Sequence, residues 1–255
     1  RNADCIVLDL EDSVPPQEKI KARELVKETI PIVKKGGSDV LVRVNNQDSL
    51  LRDDINSSVW PGIDGIYLPK VESVEEVEEI DKLITALEIR RRIKPNSITL
   101  GITIETAKGL QQVNEIAKSS GRIDSISLGV EDFSLDTGIH ITEDTSQAML
   151  YPRMKVVLAA RANKILPLGL MGSIAGFQDL DGIERSAILA YKHGFLGASC
   201  IHPSNIEILN KCFSPSQEEV SYSKRVIDKF EEVIEQGKAS AELDGRMIDT
   251  PHYEK

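Results

Sequence analysis

The sequence predicts an α/β fold, a (β/α)8 TIM barrel with a C-terminal helical arm, on three observations. Short apolar runs alternate with longer amphipathic stretches along the chain. The runs are rich in Val, Ile and Leu, as suits strands buried on both faces of a parallel sheet. Polar residues gather where the runs end, and in a barrel all strand C-termini open onto one mouth.

The first run is Cys5–Leu10, followed by Val40–Val44, Gly65–Leu68, Ile98–Ile104 and Ile123–Leu128, with weaker runs at Ile165–Leu168 and Ala198–Ile201. Helical spacing of apolar residues marks 17–30, 73–92, 106–118, 143–162, 179–192, 203–211 and 216–236. Ser73 with Glu76 reads as a capping box. The tail from Ala239 ends in a turn-like Leu243–Asp249 segment. These runs give seven strands where such a barrel needs eight, so one β-unit is expected before Arg1. An open doubly wound sheet is the alternative, but no Gly-rich turn follows the first strand, as dinucleotide binders require. Neither repeats nor an interdomain linker are visible, which predicts one barrel over residues 1–213 and a helix and arm over 214–255.

With 255 residues, 40% hydrophobic and 28% charged, the chain has an ordinary globular composition and enough length for a sizeable core. A net charge of −10 speaks against a general nucleic-acid grip, because phosphate binding needs a basic face. The three cysteines, Cys5, Cys200 and Cys212, form no CxxC pair and fit a reducing compartment, which predicts a cytoplasmic protein or one of the mitochondrial matrix. No apolar run reaches transmembrane length, so no membrane partner is expected.

Asp9, Glu11 and Asp12 end the first run, Arg43 and Asn45 the second, Lys70 the third, Glu105 the fourth, and Glu131 and Asp132 the fifth; His202 follows the last. Hard oxygen ligands without a companion Cys or His cluster point to Mg2+ or Mn2+ rather than zinc. Glu105 and Asp132 are the best ligand pair, since each follows a strongly strand-like run. Acidic residues after strands also cap helices, so each one alone is ambiguous. Arg43 could pair with Asp12 or Glu11, though an arginine inside a strand points to a site. Lys70 reads as an ion-pair residue ahead of a Schiff-base nucleophile. His202 reads as structural, Asp136 and His140 as loop residues near the mouth, and His193 and His252 as surface positions.

The ordered segments Leu8-Asp9-Leu10-Glu11-Asp12-Ser13-Val14, Val42-Arg43-Val44-Asn45, Leu68-Pro69-Lys70, Ile104-Glu105-Thr106-Ala107, Gly129-Val130-Glu131-Asp132-Phe133, Ala159-Ala160-Arg161-Ala162, Ile201-His202-Pro203 and Asp244-Gly245-Arg246-Met247-Ile248-Asp249 span nearly the whole chain. In this order they resemble the HpcH/HpaI aldolase–citrate lyase superfamily, in its citrate lyase β / malyl-CoA lyase branch. The resemblance implies a carbon–carbon lyase acting on a CoA thioester or an acyl-carrier thioester, assembled as a homotrimer or larger. It implies that Glu105 and Asp132 hold Mg2+, that Arg43 contacts the oxygen on the reacting carbon, and that Glu11 and Asp12 reach the metal through water. Lys70 would order these carboxylates, and Asp249 would be the acid/base, delivered by the arm to a neighbouring subunit. A thioesterase on the same scaffold and a non-catalytic scaffold barrel are the competing readings.

Overall fold

A computed structural model describes residues 2–142 and 146–254. The chain divides into two compact units, residues 1–211 and 212–255.

In the first unit strands and helices alternate: β1 (Cys5–Asp9), α1 (Lys19–Val33), β2 (Asp39–Arg43), α2 (Asp48–Ser58), β3 (Gly65–Leu68), α3 (Val74–Arg91), β4 (Thr99–Ile104), α4 (Ala107–Ile116), β5 (Ile123–Leu128), α5 (Val130–Thr137), α6 (Leu150–Asn163), β6 (Leu166–Leu168) and α7 (Leu180–Lys192). Among the described residues the six strands form one parallel sheet in the order β1-β2-β3-β4-β5-β6. Each connection carries a helix, as parallel neighbours require.

The sheet has two chemically different faces. Val40, Val42, Ile66, Leu68, Leu100, Ile102, Ile104 and Ile126 are fully buried, together with Val77 and Ile84 of α3 and Val113 and Ile116 of α4. That face is the core, and its burial against the helices supplies the main favourable term in folding. The opposite face carries Asp9, Arg43, Tyr67, Gly101, Thr103, Ser125 and Ser127. β4 and β5 are buried on both sides, as the sequence reading expects, but their second face is lined by small polar residues and not by apolar ones. The hydroxyl and glycine positions are small enough to pass unnoticed inside an apolar run.

The expected strand at Ala198–Ile201 does not form; its place is taken by a single parallel bridge from Leu168 to Gly197. Two α-helices of the first unit were not anticipated. In α2, Asp54 is fully buried and binds Arg23, Asn45 and the backbone N–H of Asn45, so a polar group occupies a position where periodicity looks for an apolar one. In α5, eight residues with one buried apolar side chain, Phe133, are too few to show a period. Asp136 accordingly stands in a helix, not a loop. The Ser73 cap is half of the expected box: its hydroxyl accepts from the Glu76 N–H, while the Glu76 carboxylate accepts from the N–H of Glu72. Part of the expected 143–162 helix lies outside the described residues; the helix seen starts at Leu150.

Helix α8 (Ile206–Phe213) spans the boundary between the units. The second unit holds α9 (Gln217–Glu235), a hairpin of β7 (Ala241–Leu243) and β8 (Arg246–Ile248), and α10 (Thr250–Glu254). Ser216 and Glu219 form the reciprocal capping box of α9. Val226, Phe230 and Val233 of α9 pack on Ile248, and the Tyr253 ring lies 5.2 Å from that of Phe230. Asp244 and Gly245 turn the hairpin with positive φ, so the segment read as a turn is the tip of a strand pair. No helix among the described residues is long and apolar enough to cross a membrane.

Candidate active site

The parallel register fixes which charges meet. Asp9 stands opposite Arg43 at the ends of β1 and β2. The guanidinium donates to both Asp9 oxygens, Nε to Oδ1 at 2.7 Å and Nη2 to Oδ2 at 2.6 Å, and Nη1 lies 3.1 Å from Glu11 Oε2. This two-pronged geometry holds the arginine head in one orientation. Asp9 also accepts from the Glu11 N–H and the Ser13 hydroxyl. Burial would raise the Asp9 carboxyl, but Arg43, Ser13 and the Glu11 N–H outweigh it and hold the pKa at about 2. Arg43's partners are thus Asp9 and Glu11, not Asp12. Sequence reading missed Asp9 in this role; the signal available was its position opposite Arg43 once two adjacent parallel strands are aligned.

The chain of charges continues through Lys70. Its Nζ lies 2.9 Å from Glu11 Oε1, 3.6 Å from Asp132 Oδ1 and 3.9 Å from Asp12 Oδ1. Lys70 has a left-handed backbone, φ 54°, and its carbonyl accepts from Asn46. Burial alone would lower the ammonium pKa; the Glu11 hydrogen bond and the charges of Glu11, Asp132 and Asp12 overcome it and raise the value to about 12. Lys70 is therefore protonated at neutral pH, which suits an ion-pair residue and not a Schiff-base nucleophile.

Glu105 follows β4 and is 7% exposed. Burial first, then the charge of Asp132, push its pKa to about 8 against the pull of Lys70 and Arg43. Among the described residues no side chain donates a hydrogen bond to its carboxylate. Gly129, the residue before α5, is needed here: a Cβ at that position would sit 2.5 Å from Glu105 Cγ and 2.8 Å from Oε1. Asp132 lies in the first turn of α5, where the helix dipole favours a negative charge.

Lys70, Glu105 and Asp132 line one cleft of about 500 Å³, together with Asn46, Glu72, Glu76, Thr106, Leu135 and Asp136. Asp136 accepts from the Ala107 N–H at 2.8 Å and so fixes the start of α4 beside Glu105. Glu131 accepts from Ser173 on the segment after β6. Asn45 is drawn away from the opening: it is buried and binds Asp54, Lys19 and the Leu10 carbonyl. His202 stacks on Phe177, 5.2 Å between ring centroids, and bonds Ser204, which is a structural role.

The two carboxylates fit a hard divalent cation. Glu105 is a mostly buried side chain that lines the cleft, and burial and the adjacent Asp132 raise its proton affinity; a cation would relieve both costs. Among the described residues no set of three His, Cys, Asp or Glu groups is arranged to hold a metal, so the donor set is not an all-protein cage. Two carboxylates with water and substrate oxygens completing the shell is a Mg2+ pattern.

Asp249 belongs to the second unit, between β8 and α10. Its carboxylate lies 2.5 Å from His252 Nδ1, and its carbonyl accepts from the N–H groups of His252 and Tyr253.

A sequence profile described as HpcH/HpaI aldolase/citrate lyase matches residues 1–203. A citrate lyase subunit beta of Leuconostoc mesenteroides subsp. cremoris is 36% identical over 250 residues, covering 98% of this chain and 82% of that one. An L-malyl-CoA/beta-methylmalyl-CoA lyase of Cereibacter sphaeroides is 31% identical over 268 residues, covering 97% and 83%. The crystal structure of protein CitE from Mycobacterium tuberculosis, in complex with magnesium, acetoacetate and coenzyme A, superimposes with a TM-score of 0.74 at 25% identity over 99% of this chain and 88% of that one. With a profile that spans the whole sheet and relatives aligned nearly end to end, the chain belongs to the HpcH/HpaI aldolase/citrate lyase family.

Proposed function

We propose that this protein is a Mg2+-dependent carbon–carbon lyase that cleaves, or forms, a β-hydroxyacyl thioester such as citramalyl-CoA or malyl-CoA, giving an α-keto acid and an acyl thioester. The observation that carries the reading is the buried Glu105 carboxylate, which shares a cleft with Asp132 and Lys70 and feels the charge of Arg43. The relatives named as lyases, and the similar structure described with magnesium, support it.

Glu105 and Asp132 would hold the ion, which supplies Lewis acidity at the oxygen on the reacting carbon. Arg43 donates to that same oxygen, and Asp9 keeps its guanidinium charged and aimed before substrate arrives. Lys70 remains protonated and holds Glu11, Asp12 and Asp132 at fixed spacing, so these acids do not repel one another out of place. Glu11 and Asp12 would reach the ion through water. In the condensing direction Asp249 would take the α-proton of the acyl thioester. For this the sheet would close as a (β/α)8 barrel and the arm over 214–255 would serve the site of a neighbouring copy in a homotrimer or larger assembly.

A second reading has the thioester on a carrier protein, as for a citrate lyase β subunit; the higher identity to such subunits, 36% against 31%, favours keeping it. The test is incubation of the full chain with citramalyl-CoA or malyl-CoA and Mg2+, with and without EDTA. Metal-dependent release of a keto acid and an acyl-CoA is expected. Release of free CoA and a hydroxy acid would mean a thioesterase, and no cleavage of either CoA ester would overturn the CoA-lyase reading.

A further inference from the structure

One row of the sheet runs Asp9, Arg43, Tyr67, Gly101 and Ser125 across β1 to β5, each residue in register with the next. Residues in register on neighbouring parallel strands point to the same face, with strands about 4.8 Å apart. Tyr67 is therefore the lateral neighbour of Arg43 on the face that carries the charged site. One step further along, Thr103 and Ser127 are in register on the same face, and Glu105 follows Thr103 by two residues, about 7 Å up the strand.

These hydroxyls are joined. Tyr67 Oη lies 2.9 Å from Ser127 Oγ, and Ser127 Oγ lies 3.3 Å from Thr103 Oγ1. Thr103 and Ser127 are 5% and 8% exposed. Gly101 makes room for the tyrosine: a Cβ there would stand 2.6 Å from Tyr67 Cδ2. The ring is thus seated across β4 with its hydroxyl anchored on Ser127 of β5, which also lies against Thr103, two residues before Glu105. The opposite face of the same strands is entirely aliphatic at Ile66, Leu68, Leu100, Ile102 and Ile126, so a hydroxyl layer is not what packing alone selects.

The chemistry asked of this place is unusual. Cleavage turns a carbinol O–H, a donor, into a keto C=O, an acceptor. Arginine only donates and ionised carboxylates only accept, whereas a hydroxyl does either. We propose that Tyr67, braced by Ser127 and seated by Gly101, is a specificity-determining residue that contacts the α-keto acid half of the substrate. This rests on the lyase reading above and deepens it.

The test is condensation by the full chain with Mg2+, acetyl-CoA or propionyl-CoA, and glyoxylate or pyruvate, comparing wild type with Tyr67→Phe. The keto-acid KM should rise about 10- to 100-fold, the loss of one hydrogen bond to a charged ligand. The acyl-CoA KM and the Mg2+ affinity should stay as in wild type, which a merely structural role does not predict. Gly101→Ala, which displaces the ring without removing the hydroxyl, should give the same selective rise. Equal changes in both KM values, or none, would overturn the proposal. If wild type turns over neither pair, the lyase reading has failed, and calorimetric binding of pyruvate and glyoxylate to the Mg2+-loaded protein decides the inference: weaker binding by Tyr67→Phe sustains it, equal binding refutes it.

Discussion

The two ends of the strands both carry clusters of charge around buried carboxylates, and they are built on opposite rules. At the amino ends of β4 and β5, Arg122 is 5% exposed and spends its donors fully: on Asp81 at 2.6 Å, on both Glu88 oxygens at 2.9 and 2.7 Å, on Thr85 and on the Ile98 carbonyl. Glu88, itself fully buried, also accepts from the N–H groups of Asn96, Ser97 and Ile98. At the carboxyl ends, Lys70 is shared among three acids and Glu105 receives no hydrogen bond from the described side chains. A closed network stabilises and has nothing left to bind with. An open one costs stability and keeps its valences for a ligand, which is where strained electrostatics gather at functional sites.

The sharpest break between the two ends is by mutation. Glu105→Gln should lower metal-dependent turnover by at least about a hundredfold, the scale of losing one electrostatic group at a reacting centre, with no loss of fold by circular dichroism. Normal turnover in this variant would remove the open end from the chemistry. Arg122→Ala should do the reverse: a loss of about 3–5 kcal/mol in denaturant unfolding, because Glu88 is left charged and buried, with turnover of the folded fraction intact.

Titration sharpens the contrast. Glu105, raised to about 8 from 4.5, holds its proton in the folded protein at neutral pH. Between pH 4.5 and 8 the unfolded chain releases this proton while the folded one keeps it, so stability falls as pH climbs through that range, and a bound cation must displace the proton. In the wild-type protein Mg2+ affinity should therefore fall about tenfold per pH unit below 8, read by calorimetric titration across that range. Asp9 has the opposite sign: held at about 2, below its ordinary 3.8, it adds stability above pH 4 that is lost as pH falls from 4 to 2. Acid unfolding of Asp9→Asn should lack this component. The smallest effect belongs to neither end. Arg52 and Glu79 pair with both side chains 64% exposed, and Glu79→Ala should shift stability by no more than about 1 kcal/mol in denaturant unfolding.

Much of this was legible in the chain. Six of the seven expected strands form, because Val, Ile and Leu runs bounded by helices leave few other solutions. Glu105, Asp132, Arg43, Glu11 and Lys70 were visible as charges at run ends; the structure links Arg43, Glu11, Lys70 and Asp132 by ion pairs and puts Glu105 in one cleft with Lys70 and Asp132. What escaped depends on pairing. Asp9 becomes Arg43's anchor only through the β1–β2 register, and Asp54 shapes α2 only through Asn45 and Arg23. The hydroxyl face of β3 to β5 was hidden because Ser, Thr and Gly interrupt an apolar run without announcing that one side is polar. Ala198–Ile201 looked like a strand by composition, but the parallel pairing reaches only Gly197.

The central claim is one cation held by Glu105 and Asp132. Calorimetric titration of Mg2+ into the full chain, beside Glu105→Gln and Asp132→Asn, tests it directly. One site per chain in wild type, lost in both variants, is the expected result. Binding that survives both substitutions at wild-type affinity would contradict it.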